Sequence, residues 1–190
     1  MDETSKSYNV RKSRGDFEKY LHGNGLDIGP GRDPLKIESG NVATWDKEQG
    51  SAQYLETIAD YSFDFVYSSH CLEHLPDIEV TLLNWCRVIK NNGYLYLTLP
   101  DYLLYEKLCW PSWNSDHKYS FSIDIPRSKT KRDNHFQIEV DLMPILKKNG
   151  MELVFCLLED ENFDYNASPT IDQTLKNALT QICIIAVKKV

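Results

Sequence analysis

Residues 63–100 hold two β-rich runs, FDFVYSS and YLYLTLP, separated by a segment in which Ile78, Leu82, Trp85 and Ile89 recur at helical spacing. Asn91-Asn92-Gly93 supplies a stop before the second run. Strands that alternate with helices argue for a mostly parallel sheet covered on both faces, and hence for an α/β fold. The rest of the chain repeats the theme. Strands are expected at Leu26–Ile28, in VATWD ending at Asp46, at Leu153–Leu158 and at Ile182–Val187. Helices are expected at Asp16–Leu21, Asp101–Cys109 and Asp141–Lys148, where Pro144 is tolerable because it lies in the first turn. The last two strands have no clear crossover helix between them, so one should run antiparallel at the sheet edge.

A length of 190 residues with 42% hydrophobic content suits one domain with one substantial core, spanning residues 1–190. No apolar run approaches the roughly 20 residues needed to cross a bilayer, and the first ten residues lack the apolar segment of a secretory signal. Five widely spaced cysteines, with no C-x-x-C pair, read as reduced thiols in a cytoplasmic protein. The net charge of -7 argues against loose attraction to nucleic acid, and no membrane partner is expected.

The first strand runs straight into a glycine turn, GLDIGPGRDP over residues 25–34. Glycine has no Cβ, so the backbone can turn sharply and a ligand can come close. In open α/β sheets, ligands bind outside the carboxyl ends of the strands, where strand order reverses. The glycine turn, Asp46 and Ser68-Ser69-His70 all fall at such ends. A dinucleotide site, of the NAD type, is one reading, because Gly29 and Gly31 match two glycines of G-x-G-x-x-G and Asp46 is spaced for a ribose. However, Pro34 replaces the third glycine, and Asp27 and Asp33 would place carboxylates beside a pyrophosphate. A ligand carrying an ammonium and a sulfonium would find those carboxylates favourable. Zinc chemistry is the other rival, since HCLEH at residues 70–74 satisfies H-x-x-E-H. The motif follows a strand directly and Pro76 comes two residues later, so His70 and His74 are not expected to share a helix face, and no metal is expected. Taken singly, Gly29 and Gly31 could be turn residues, Asp46 a cap and His70 a core imidazole. Their ordered recurrence at strand ends argues for a site.

In GLDIGPG, VATWD, and FDFVYSSHCLEHLPD followed by a helix, NNG and YLYLTLP, the chain resembles the class I S-adenosylmethionine-dependent methyltransferases, specifically the small type 11 group. The resemblance covers roughly Gly25 to Pro100. It implies a Rossmann-like doubly wound sheet with S-adenosylmethionine as cofactor. It implies that Asp27, Gly29 and Gly31 border the methionine part, that Asp46 accepts hydrogen bonds from the ribose hydroxyls, that Ser51, Ala52 and Gln53 lie near adenine, and that Ser69 and His70 lie beside the cofactor. Only 18 residues lie between Gly31 and Gly50, too few for the family's usual helix, strand and helix, so the scaffold is trimmed between the first and fourth strands.

Methyl transfer from a sulfonium asks the protein for proximity, orientation and removal of an acceptor proton. Residues 1–24 read as an N-terminal helix and cover, and residues 110–137 as an irregular lid on the acceptor side. The lid carries His117 and His135, candidates for the general base, with Tyr20 and His22 behind them. Tyr119 and the basic run Arg127, Lys129, Lys131 and Arg132 suggest a small anionic acceptor, such as a phosphorylated amino alcohol, sugar or nucleotide sugar, methylated on O or N. The segment SSHCLEH stands where base-methylating enzymes carry N/D-P-P-Y/F, which disfavours nucleobases. A non-catalytic cofactor-binding subunit would have no use for a histidine-bearing lid.

Overall fold

The computed structural model describes residues 3–168 and 170–189. Its strands are β1 (Gly23–Ile28), β2 (Gly40–Trp45), β3 (Phe63–Ser69), β4 (Ile89–Pro100), β5 (Ser120–Ser122), β6 (His135–Gln137), β7 (Met151–Glu159) and β8 (Gln181–Lys188). Six of them form one sheet in the order β2-β1-β3-β4-β8-β7, while β5 and β6 pair by themselves. β1 pairs in parallel with β2 and β3, and β3 with β4. β8 runs antiparallel to both β4 and β7. The sheet is therefore α/β and mostly parallel with an antiparallel pair at one edge. The reversed strand is β8, second from that edge, and β7 forms the edge itself.

Alternation along the strands splits the core in two, as a period of two requires. Leu26, Val66, Leu95, Leu97 and Ile184 face α4 (Ile78–Arg87), whose Ile78, Leu82 and Trp85 are buried against them. Phe65, Tyr67, Tyr96, Cys183 and Ile185 face the other way, toward Phe17 and Leu21. Asp77 caps α4 by accepting a hydrogen bond from the Val80 amide at 3.0 Å. Trp85 donates its indole N–H to the Ala52 carbonyl at 2.7 Å, which fixes the loop after β2 to the helix.

The second face is covered by three short helices, α1 (Glu3–Lys6), α2 (Tyr8–Arg14) and α3 (Asp16–Lys19), of which only the last was expected. They attach by polar contacts as well as by apolar ones. Buried Arg11 donates to the Tyr67 hydroxyl at 3.0 Å, and Arg14 to the Tyr96 hydroxyl at 2.8 Å and Asp16 at 2.7 Å.

Other expectations are corrected. Residues 101–109 form turns rather than a helix: Asp101 Oδ1 accepts the amides of Leu103 and Leu104, each at 2.9 Å, and Lys107 and Leu108 sit at φ 53° and 58°, a left-handed geometry that cannot propagate a helix. Asn91-Asn92-Gly93 lies inside β4 as an irregularity, between the Phe63–Ile89 and Phe65–Tyr94 pairs, with Asn92 at φ 63°. Residues 110–137 contain β5, β6 and the short α5 (Arg127–Thr130). The helix expected at Asp141–Lys148 divides into a π-helical stretch, Ile138–Leu142, and α6 (Met143–Lys148). The chain runs in turns from β1 to β2 and from β2 to β3, so the trimmed scaffold is real. Among the described residues no helix is long and apolar enough to cross a membrane.

Candidate active site at the strand ends

β1 ends at Ile28, and Gly29 turns the chain at φ 72°, its amide bonded to the Trp45 carbonyl at 2.8 Å. A Cβ on Gly29 would lie 2.4 Å from the Cys71 sulfur, so glycine is required sterically as well as conformationally. Gly31, at φ 54°, is different: a Cβ there would meet nothing within 4 Å. The Gly31 amide donates to Asp46 Oδ2 at 3.0 Å, which joins the glycine turn to the acid that follows β2.

Beside this turn lies a cavity of about 290 Å³. Gly29, Gly31, Ser69 and His70 line it from the strand ends, and Glu3 and Thr4 close it from α1. Glu73, His74 and His117 form its third wall. Glu73 and His74 belong to a 3-10 turn, Leu72–His74, and His117 arrives from the loop before β5. The Lys118 amide donates to the Glu73 carbonyl at 2.7 Å and so ties the two segments together.

The hydrogen bonds of this wall set the tautomers. His117 Nδ1 donates to Glu106 Oε1 at 2.6 Å, and His74 Nδ1 donates to the Asp116 carbonyl at 3.2 Å. His70 Nε2 donates to Gln181 Oε1 at 3.0 Å. Each ring therefore keeps one lone pair, and all three lone-pair nitrogens surround Glu73 Oε1, His74 Nε2 at 3.7 Å, His117 Nε2 at 3.8 Å and His70 Nδ1 at 3.9 Å. Glu73 is wholly buried, and neither of its carboxyl oxygens has a hydrogen-bond partner. Burial pushes the Glu73 carboxyl up to about 7 and His70 down to about 3, and it lowers His74 as well.

The residues named from sequence divide sharply in place. Gly29, Gly31, Ser69, His70 and His117 come together around the cavity. Asp27 does not line it: the side chain is buried, accepts the Leu35 amide at 2.7 Å, and anchors the loop beyond the glycine turn. Gln53 is buried and accepts the Asp77 amide at 3.0 Å, Ala52 holds Trp85 through its carbonyl, and Ser51 is exposed. His135 is a core imidazole, not a pocket group; Ser120 lies 2.8 Å from Nδ1, and Ser122 and the Ile125 carbonyl lie 3.0 and 2.8 Å from Nε2. Tyr20 packs edge-on against Tyr94, and Tyr119 donates to the Pro76 carbonyl at 2.7 Å. None of the basic run lines the cavity. Arg127 pairs with Asp141 at 3.3 Å, Arg132 stacks between Tyr102 and Trp110, and Lys129 and Lys131 are exposed. The sequence reading missed Glu73 and Glu106 as site residues. HCLEH did carry Glu73 and two of the imidazoles that meet it, but the third, His117, comes from 44 residues downstream.

Residues 22–97 match the family described as "Methyltransferase domain". No curated protein matches the chain in sequence. Among solved structures, a Listeria monocytogenes protein provisionally assigned as an S-adenosylmethionine-dependent methyltransferase superposes with a TM-score of 0.61 at 11% identity, covering 100% of this chain and 99% of that one. A methyltransferase of the same dependence from Archaeoglobus fulgidus gives 0.57 at 21% identity, covering 99% and 95%, and one from Methanosarcina mazei gives 0.51 at 18%, covering 94% and 87%. At these identities the structural likeness is one of fold. Residues 22–97 are thus similar to the methyltransferase-domain family, and the chain as a whole shares the fold of solved structures described as S-adenosylmethionine-dependent methyltransferases.

Proposed function

We propose that this chain transfers a methyl group from S-adenosylmethionine to an oxygen of a small hydroxylated acceptor, sugar-like in chemistry. The observation that carries the reading is the single cavity shared by the glycine turn and the Glu73–His74–His117 wall. The residues fit the cofactor. The open space over Gly31 admits a ligand close to the backbone, and Asp46, just outside the cavity lining, accepts the Gly31 and Lys47 amides on its two oxygens and keeps a further lone pair on each for a pair of ribose hydroxyls. When bound, S-adenosylmethionine supplies an electrophilic methyl on a sulfonium. The protein then has to position the acceptor and receive its proton, and the titratable groups within reach are those of the third wall.

The anionic acceptor expected from sequence rested on the basic run, which packs away from the cavity. Glu3, Asp33 and Glu73 outnumber Arg32 in the lining, which favours a neutral acceptor over a phosphorylated one. With five free cysteines, we place the protein in the cytosol.

Calorimetric titration with S-adenosylhomocysteine tests the cofactor half. Binding is expected, and Asp46→Ala should weaken it by about 1–3 kcal/mol, the cost of removing a charged partner from two hydroxyls. Failure of the wild-type chain to bind, or binding of NAD in its place, would sink the proposal.

A further inference from the structure

Against the expectation from sequence that no metal binds, we propose that Glu73, His74 and His117 form a binding site for a divalent transition-metal cation, open on the side that faces the cofactor cavity. The ligand atoms of these three residues lie within 4.8 Å of one another. Two imidazoles and one carboxylate are the donor set of catalytic zinc and of non-haem iron(II) centres, in which three protein ligands leave positions free for water or substrate.

Three features separate this group from a chance meeting of polar side chains. The first is the buried carboxylate with both oxygens unpartnered, against which the lone pairs of two imidazoles, and of His70 beyond them, are directed. Acceptors that face one another with no donor between them repel, and an electrophile at their centre removes the repulsion. The second is the outer contacts. His117 donates its far N–H to a buried carboxylate and His74 to a backbone carbonyl, the arrangement by which proteins orient metal-binding histidines. The third is distance. Ligand atoms on a tetrahedral zinc stand about 3.3 Å apart, from metal–ligand bonds of about 2.0–2.1 Å. The 3.7 and 3.8 Å separations from Glu73 to the two imidazoles need to close by only a few tenths of an ångström, and the two imidazole nitrogens, within 4.8 Å of each other, have to approach as well.

A metal here would serve the methyl transfer proposed above, and this part of the inference rests on that reading. An acceptor hydroxyl on the open position would be acidified by the cation and lose its proton to water. Its oxygen lone pair would then form the O–CH₃ bond as the C–S⁺ bond breaks, the bonding pair passing to sulfur as a neutral thioether. His117 would act as a ligand, with Glu106 as a positioning residue behind it.

The test is titration of the full chain, stripped with a chelator, with Zn²⁺ and separately with Mn²⁺, in the absence of any cofactor. One equivalent of at least one cation should bind with a Kd below about 10 µM. Glu73→Gln and His74→Ala should each weaken that binding by about 100-fold or more, and Glu106→Gln by about 10–100-fold. Asp46→Ala should bind the metal as the wild type does. X-ray absorption of the loaded wild type, which needs no variant to fold, should show two imidazoles on the metal. Absence of stoichiometric binding, unchanged affinity in Glu73→Gln and His74→Ala, or a coordination shell without imidazole would overturn the site. Because metal and S-adenosylhomocysteine are titrated separately, loss of one result leaves the other standing: metal without cofactor binding sinks the methyl-transfer reading alone, and the reverse sinks the metal site alone.

Discussion

Asp27 shows how one residue's place changes its meaning. At the end of an apolar strand it resembles a ligand-binding acid, yet its carboxyl is buried and receives one backbone amide. Burial, opposed by that hydrogen bond, pushes it from an ordinary 3.8 up to about 7. The raised value fixes the sign of a pH effect. A carboxyl with a folded-state pKa above its unfolded one favours the fold while protonated, so its contribution is complete below about pH 4 and is lost as the pH rises through about 7. The loss is on the order of 4 kcal/mol in full. Asp27→Asn keeps an acceptor for the Leu35 amide and cannot ionise. Thermal melts should find the variant more stable than the wild type at pH 8 and similar to it near pH 4; equal melting temperatures at pH 8 would count against the account.

At the scale of elements, α4 is the part whose energetics are plainest. Trp85 is fully buried and bonded to the Ala52 carbonyl, so Trp85→Ala should cost about 3–5 kcal/mol in denaturant unfolding, with the loop after β2 loosened as well. This helix, β3 and the register of hydrophobic runs were legible in the sequence because apolar periodicity and burial coincide there: FDFVYSS was read as a strand over the same seven residues that form β3. Legibility failed where long-range polar contacts decide. α1 and α2 carry little apolar periodicity because they cover tyrosine hydroxyls with Arg11 and Arg14, and so they left no hydrophobic stripe to read. Residues 101–109 have helical spacing, but the Asp101 side chain and two left-handed residues override it. In the site, the strand-end glycines and His117 were found by motif and residue type. Glu106 was not, since nothing local in the sequence marks a glutamate that contacts a histidine 11 positions away.

At the scale of the whole molecule, the first helix is also a wall of the site: Glu3 and Thr4 stand over the glycine turn, and the Ser5 amide holds Asp33 at 2.8 Å, with the Ser5 hydroxyl on the other oxygen of the same carboxylate. A four-residue helix has too few internal hydrogen bonds to persist by itself, so its position depends on such contacts. The consequence is temporal. If a ligand in the cavity leaves past α1, its residence time depends on the contacts that hold this helix, among them the two hydrogen bonds from Ser5 to Asp33. Ser5→Ala, which cuts one of them, should speed S-adenosylhomocysteine dissociation by about fivefold to tenfold in stopped-flow measurements, the rate equivalent of about 1 kcal/mol, while the melting temperature of the free protein stays nearly constant. An unchanged dissociation rate would mean that the door is elsewhere. If these contacts do set the exchange rate, release of the spent cofactor is controlled by a segment that carries no part of the chemistry.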